Sequence, residues 1–312
     1  MLINPIVPFE PVTTDQIPQD KKWIAQVKWD GVRVLTYYDG QAVRLFNRHL
    51  HERTNHYPEV AGIKEYCKAA SIILDGEIIA LKQGKPSFYE VMRRDGISHF
   101  TNLGYLVKTI PITYMVFDVL FINDRWVNTQ SLSDRQEILK EYISPNQSVH
   151  LVESFADPSG LYEAVKQQQM EGVVIKDVGS TYQFGGKDKR WCKKKFYRDL
   201  IAVVGGITLR NSVVNALLLG LFGNDGRLWY IGHAGTGRLT GQDWSLITKI
   251  TEPLIQTETP FANRPSRLKG ARWLKPQLTV KVQFAEWIEG HTLRQPSIQA
   301  LVDVPAYECI IE

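Results

Sequence analysis

With 312 residues, 44% of them apolar, and a formal net charge of +4, the chain is long enough for two domains with real cores and too balanced in charge to declare a polyanionic partner by composition alone. There is no run of 18 apolar residues, and the N-terminus has neither the charged start nor the apolar middle of a secretory leader, so the expectation is a soluble, cytoplasmic protein without membrane association. Cys67, Cys192 and Cys309 are far apart, odd in number and without zinc spacing, and read as reduced thiols.

A lead punctuated by Pro5, Pro8, Pro11 and Pro18 gives way to Trp23-Ile24-Ala25-Gln26-Val27-Lys28-Trp29-Asp30-Gly31-Val32-Arg33. As a strand, its period of two sets Trp23, Ala25, Val27 and Trp29 on a core face and Gln26, Lys28 and Asp30 on the other. Lys28 is then either a solvated edge residue or a lysine kept beside a carboxylate for chemistry. A strand over residues 34–38 follows, and Asp39-Gly40 supplies a tight hairpin turn into residues 41–46. Asn47-Arg48-His49 leaves that hairpin as a loop. His49, His51 and His56 fit no ligand spacing and read as surface residues, and Pro58 suits the first turn of a helix running to about residue 70.

The apolar run over residues 72–81 is interrupted by Asp75-Gly76-Glu77. Two readings stand: Asp-Gly is a hairpin turn, or the run is one strand and Glu77 is a charge inside it, costly unless it meets a cation or metal. Ser87-x-x-Glu90 opens a short helix, and residues 114–121 form another buried strand with one carboxylate, Asp118. Ser133-x-x-Gln136 predicts a helix to about residue 143, and Ser159 starts another that ends near Met170. Glu171-Gly172-Val173-Val174-Ile175-Lys176 is an apolar strand bracketed by opposite charges, for which a strand-end salt bridge is the simplest account. Residues 186–198 gather seven cations around Trp191, Phe196 and Tyr197. Such a run is a solvated face or, with aromatics interleaved, a phosphate-facing one.

From Leu200 the pattern changes to short apolar strands over residues 201–207, 216–222 and 228–232, with Asn224-Asp225-Gly226 as a hairpin loop. Thr240-x-x-Asp243 caps a helix to about residue 255, and a last strand is expected over residues 278–288. Four or five strands with one inserted helix fit a small barrel of the oligonucleotide-binding (OB) kind. The fold class expected is α+β, antiparallel sheets with flanking helices followed by a C-terminal OB-fold β-barrel.

The chain has no Gly-x-x-x-x-Gly-Lys-Ser/Thr loop, Gly235-Thr236-Gly237 is too short a cradle, and no serine or cysteine triad motif is visible. What remains is Lys28, Glu77, Glu171, Lys193 and Lys195 on separate apolar strands. A lysine is a nucleophile once it loses its proton, and bringing its pKa from about 10.4 to near 7 costs roughly 4 to 5 kcal/mol. Neighbouring lysines and a divalent cation supply that pressure. Two glutamates without histidine suit a hard cation, and such a cation with several lysines describes a site for moving a phosphoryl-type group.

On these residues the chain resembles the ATP-dependent DNA ligases, within the superfamily of covalent nucleotidyltransferases that includes RNA ligases and mRNA capping enzymes. Lys28-Trp29-Asp30-Gly31-Val32-Arg33 matches the family's Lys-x-Asp-Gly-x-Arg signature, Asp75-Gly76-Glu77 its acidic strand and Val116-Phe117-Asp118 its aromatic motif. Glu171 to Lys176 and Trp191-Cys192-Lys193-Lys194-Lys195 match the remaining two, in family order over nearly the whole chain. The resemblance implies that Lys28 attacks the α-phosphate of ATP to give lysyl-AMP, that AMP passes to the 5′-phosphate of a nick, and that the 3′-hydroxyl displaces it. It places Arg33 and Glu77 at the ribose, Phe117 on adenine, and Gln26 as an acceptor for the adenine amine. Lys193 and Lys195 would neutralise the α-phosphate, Arg48 would hold the AMP or nick phosphate, and Glu171 with Asp30 or Glu77 would place Mg2+ or Mn2+. Trp23 and Trp29 read as core.

Trp273-Leu274-Lys275-Pro276, Phe284-Ala285-Glu286-Trp287 and Leu293-Arg294-Gln295-Pro296 are similar to the ligase domain of bacterial non-homologous end-joining ligases. That implies an adenylyltransferase domain over residues 1–197 and an OB-fold domain over residues 198–312 that closes on duplex DNA. The expectation is a monomeric, nucleoid-associated ligase core for nicked DNA in repair, without polymerase or nuclease domains, with Ku as a partner to test. An RNA ligase, a capping-type enzyme and a non-catalytic nucleic-acid-binding relative are the alternatives. One departure stands out: where relatives carry Arg-x-Asp-Lys to orient pyrophosphate, this chain reads Leu301-Val302-Asp303-Val304-Pro305, leaving Arg294 or Lys281 as substitutes.

Overall fold

The computed structural model describes residues 4–97, 100–235, 237–265, 269–288 and 292–311, so Thr236 of the short glycine turn lies outside the described residues. The chain divides into two units, Met1–Phe196 and Tyr197–Glu312. Together they make a sheet-rich α+β protein.

The first unit is built on two sheets. The smaller has Glu10–Thr13, Lys187–Lys195, Gly172–Asp177 and Trp23–Val27 side by side, antiparallel except for the first pair. The larger runs Val43–Asn47, Val32–Tyr38, Ile72–Lys82, Ile112–Ile122 and Arg125–Trp126, with Val149–Leu151 parallel to Ile112–Ile122. Strand periodicity sorts the residues. On Val32–Tyr38, Val34 joins the main core with Leu45, Tyr57, Leu74, Tyr114 and Leu139, whereas Leu35 and Tyr37 join Phe9, Ile73, Tyr182 and Trp191 in a second cluster. Arg33, Asp75 and Glu77 share the parity of that second cluster. On the smaller sheet Ala25, Val173 and Ile175 pack under the helix Pro158–Gln167, so Gln26, Lys176 and Trp191 have the opposite parity.

The expected alternation from Trp23 holds only as far as Val27, where the strand ends. Residues 28–31 form a loop that carries the chain from one sheet to the other. Gly31 fixes its path, because a Cβ there would overlap the carbonyl oxygen of Ile78. Asp75-Gly76 is not a turn. Ile72–Lys82 is one strand paired on both sides, with a register shift between Asp75 and Gly76. Gly76 is required by packing, since a Cβ would lie 2.5 Å from Tyr114 Cε2 and 2.8 Å from the Met115 carbonyl oxygen. Gly76→Ala is expected to cost about 1 to 3 kcal/mol by overpacking, seen as a lowered melting temperature; an unchanged melt would contradict the close approach.

Several element ends differ from expectation. The helix at Pro58 stops at Ala61, with Gly62 closing it and a 3-10 turn over Ile63–Glu65, because Tyr57, Val60, Ile63 and Tyr66 all turn inward. Ser131, not Ser133, caps Leu132–Tyr142 by accepting from the Asp134 amide, and Asp157, not Ser159, caps Pro158–Gln167. His56 is buried, edge-on to Phe100 at 5.1 Å, whereas His49 and His51 are exposed. No helix among the described residues is long and apolar enough to cross a membrane.

In the second unit Arg198–Arg210, Val213–Phe222 and Leu228–Ala234 are consecutive antiparallel neighbours. Arg198–Arg210 also pairs with Ala271–Leu274 and Thr279–Phe284, and the latter pairs with Ser297–Val302. One parallel bridge, Gly237 to Ile298, brings the last strand back toward the third. The result is a curled, partly open sheet around Val203, Leu219, Tyr230, Val282 and Ile298. A closed barrel is not among the pairings of the described residues. Thr240 and Asp243 form a true capping box for Gly241–Thr251, which ends earlier than expected because Pro253 sits in the following 3-10 turn. The expected strand over residues 278–288 is two strands, Thr279–Phe284 and Glu286–Ile288.

Candidate active site

Lys28 leaves the strand Trp23–Val27 with its amide still bonded to the Gly172 carbonyl, 2.9 Å away. That last ladder bond puts Lys28 beside Glu171, and Nζ donates to Glu171 Oε2 at 2.6 Å. Gly172 pairs with Lys195 on the other side, so Lys195 Nζ reaches Glu171 Oε1 at 2.9 Å. Three strand ends thus supply a lysine, a carboxylate and a lysine in line. Burial alone would raise the Glu171 carboxyl, but the two ammonium groups outweigh it and hold the group below the usual carboxylate range. Lys193, half-buried, is pushed down by burial and by the charges of Lys28 and Lys195. The strand-end pair expected between Glu171 and Lys176 is not made: Glu171 turns to Lys28 and Lys195, and Lys176 is buried.

Glu77 faces this group from the larger sheet. Burial pushes its carboxyl up to about 8 against the pull of Lys28 and Arg33, and the charges of Glu171 and Asp30 push the same way. In the unfolded chain a glutamate titrates near ~4.3, so between that value and about 8 the folded state holds the extra proton. Folding stability contributed by Glu77 therefore falls as pH rises through this window and levels off above it. Glu77→Gln should melt level with the parent at low pH and progressively above it toward alkaline pH; a difference that does not change with pH would refute the raised carboxyl.

Arg33 stands on the same inner face. Its guanidinium grips Asp75 in a bidentate pair, Nε to Oδ1 at 2.9 Å and Nη2 to Oδ2 at 2.6 Å, and donates to the Phe9 carbonyl at 2.7 Å. Burial would lower its pKa, but Asp75 more than reverses that. Tyr182 also donates to Asp75, at 2.7 Å. Phe117 is partly buried, 6.1 Å from Trp191 edge-on, with Arg33 over its ring at 5.3 Å. Gln26, 2% exposed, is oriented by donating to Ser154 Oγ at 3.0 Å. Arg48 stands exposed in the turn after Val43–Asn47, donating to His49 at 3.2 Å. In the second unit Arg294 pairs with Glu286 at 2.7 Å and Lys281 with Asp199 at 3.5 Å, and Val302 and Val304 carbonyls both accept from Thr279.

Residues that sequence reasoning passed over complete this framework. Arg135 grips Asp118 at 2.7 and 2.9 Å, with both side chains fully buried. Its spacing from Leu132 and Leu139 on one helix stripe was the available signal. Tyr182 carried none, being a lone tyrosine in a loop.

Among the described residues no three His, Cys, Asp or Glu side chains form a metal-holding group. Glu77 and Glu171 are close enough to perturb each other, with Asp30 beside them. This all-oxygen set fits a hard cation that brings phosphate oxygens and water as further ligands, not a resident protein cage.

Residues 9–195 match the family model described as ATP dependent DNA ligase domain, and residues 210–303 match ATP dependent DNA ligase C terminal region. The chain belongs to the ATP-dependent DNA ligase family. It is 30% identical over 289 residues to the multifunctional non-homologous end joining protein LigD of Mycolicibacterium smegmatis, covering 90% of this chain and 36% of that protein. It is also 27% identical over 331 residues to a DNA ligase of Methanosphaera stadtmanae, covering 97% of this chain and 57% of that protein. The chain thus spans about a third of the length of the LigD proteins it matches. Among solved structures, the ligase domain of LigD from M. tuberculosis aligns over 100% of both chains at 26% identity, with a TM-score of 0.54.

Proposed function

We propose that this chain seals 5′-phosphate/3′-hydroxyl nicks in DNA through AMP carried on Lys28. The observation that supports this best is the Lys28–Glu171–Lys195 line, an amine 2.6 Å from a carboxylate that Lys28 and Lys195 together hold in its charged form. Glu171 Oε2, which accepts from Nζ, would take the proton that the amine must lose before it attacks phosphorus. Attack forms the N–P bond of lysyl-AMP and breaks the P–O bond to pyrophosphate; AMP then moves to the 5′-phosphate, and the 3′-hydroxyl displaces it. Lys193 and Lys195 would balance charge on the α-phosphate as it becomes five-coordinate. Phe117 would lie under the base, Gln26 would accept from its amine, and Glu77 would reach the ribose. Arg33, committed to Asp75 and Phe9, would act by holding the acidic strand in place beside the ribose. Arg48, on its exposed turn, would take the nick phosphate. Glu77, Glu171 and Asp30 would hold Mg2+ or Mn2+, which supplies charge neutralisation on the phosphates.

Adenylyltransferase chemistry would belong to residues 1–197 and duplex binding to the OB-like residues 198–312 together with the basic strand Lys187–Lys195. Nicked-duplex affinity should then fall steeply with salt, by about a thousandfold between 50 and 200 mM if six phosphates are engaged. Binding that ignores salt would contradict phosphate contact. The name of the mycobacterial relatives suggests end joining, with Ku as a protein whose effect on joining is worth measuring. The deciding experiment is incubation with α-labelled ATP or GTP plus Mg2+ or Mn2+, denaturing electrophoresis and peptide mapping. Label from ATP on Lys28 supports the reading and shows that the chain charges itself without the Arg-x-Asp-Lys element. Label from GTP alone would turn the reading to a capping-type enzyme. Intact mass before and after pyrophosphate treatment separates protein already carrying AMP from protein unable to charge.

A further inference from the structure

The chemistry above leaves Lys176 unused. It sits opposite Trp191 in the antiparallel register of the smaller sheet, 2% exposed, and its Nζ has no hydrogen-bond partner. The ammonium lies 3.9 Å from the Trp191 ring centroid and 4.4 Å from that of Phe117. Trp191 belongs to its own sheet and Phe117 to the other, so one charge bridges the two sheets through two aromatic rings. The Arg33 guanidinium rests on the same pair, at 6.0 and 5.3 Å. The carboxylates nearby are engaged elsewhere: Asp118 with Arg135, and Asp75 with Arg33 and Tyr182. Burying an ammonium without a partner is costly, and ring faces offset part of that cost when water is excluded. Burial pushes the group down to about 7, against the pull of Asp118 and Asp75. A leucine or methionine would fill the space without this penalty, so the charge itself requires a reason.

We propose that Lys176 is a positioning residue for the nucleotide: through its cation–π contact it holds the Phe117 ring, across the gap between the sheets, in the attitude on which a purine stacks. This rests on the reading of Phe117 as the base platform. A cation drawing density from one aromatic ring also favours stacking of an electron-rich purine on that ring.

The test uses the full chain with Lys176→Met, which keeps length and removes charge, and Lys176→Arg, which keeps charge. ATP affinity is measured by isothermal titration without divalent metal, alongside the ATP dependence of label incorporation on Lys28. Lys176→Met should weaken ATP about tenfold in affinity and KM with the maximal rate within about twofold, and Lys176→Arg should recover most of the loss. Phe117→Leu should lose at least as much, because it removes the base platform together with the cation–π contact, and the double variant should lose little more than Phe117→Leu. Unchanged affinity in Lys176→Met, or losses that add in the double variant, would overturn the proposal. Should Lys176→Met not fold, Lys176→Gln against Lys176→Arg decides: equal affinities overturn it, and a loss confined to the uncharged side chain supports it. A parent that takes no label and carries no AMP by intact mass, while this affinity pattern holds, defeats the self-charging ligase reading alone.

Discussion

Lys28→Ala is expected to take no AMP from labelled ATP, falling about 10⁴-fold or more below the parent, because Lys28 is the amine to which this reading assigns the N–P bond. Lys28→Arg should fail equally, since a guanidinium keeps the charge beside Glu171 but stays protonated and cannot attack phosphorus. The contrast separates charge from nucleophilicity. Neither variant should unfold the domain, because Glu171 retains Lys195 at 2.9 Å as its counter-ion. Nicked-duplex binding should be nearly unchanged. Supplied with DNA already carrying 5′-AMP, Lys28→Ala should still join it, because displacement by the 3′-hydroxyl no longer needs the amine. Joining from ATP by Lys28→Ala would sink the mechanism, and loss of joining on the pre-activated strand would mean that Lys28 also serves the last step.

The sequence pointed to the candidate site more readily than to the local geometry around it. Five motifs in order brought Lys28, Glu77, Glu171, Lys193 and Lys195 to notice, and register explains why three of them meet: the ladder that bonds Lys28 to Gly172 and pairs Gly172 with Lys195 needs nothing from outside the smaller sheet. Partnerships between strands distant in sequence were not legible. Arg33 could not be seen to grip Asp75, because the two are neighbours only once Val32–Tyr38 pairs with Ile72–Lys82. Glu171 and Lys176 bracket one strand and invite a pairing, yet five residues along a strand put them well apart and on different partners. Asp75-Gly76 has hairpin chemistry, but the glycine answers to the Tyr114 ring, a contact of long range in sequence. The cap errors are local: Ser131 and Ser133, or Asp157 and Ser159, are equally good acceptors, and Pro158 settles the second by fixing the first helical position.

Asp118→Ala is expected to be strongly destabilising. The Asp118–Arg135 pair is wholly buried, and Arg135 also donates to the Gln130 and Ser180 carbonyls at 2.7 and 3.0 Å. Removing the carboxylate leaves a guanidinium in the core without its counter-ion, which costs about 3 to 5 kcal/mol. For a unit of this size that lowers the melting temperature by roughly 10 °C. The double variant Asp118→Leu/Arg135→Met removes both charges and should recover much of the loss, since apolar side chains of similar volume replace a buried pair at little cost. A single variant that melts like the parent, or a double no better than the single, would show that the pair is not what holds this region. The position has a second consequence. Asp118 follows Phe117 on the strand and pulls the Lys176 ammonium toward its charged form. Its loss should therefore weaken ATP binding at temperatures where the variant is still folded, and part of that weakening should persist in the double variant although stability returns, because the Arg135 charge that pushes Lys176 the other way is a smaller influence than the Asp118 pull. Stability and nucleotide affinity would part company at this one residue because the carboxylate serves Arg135 by direct contact and Lys176 only through its field.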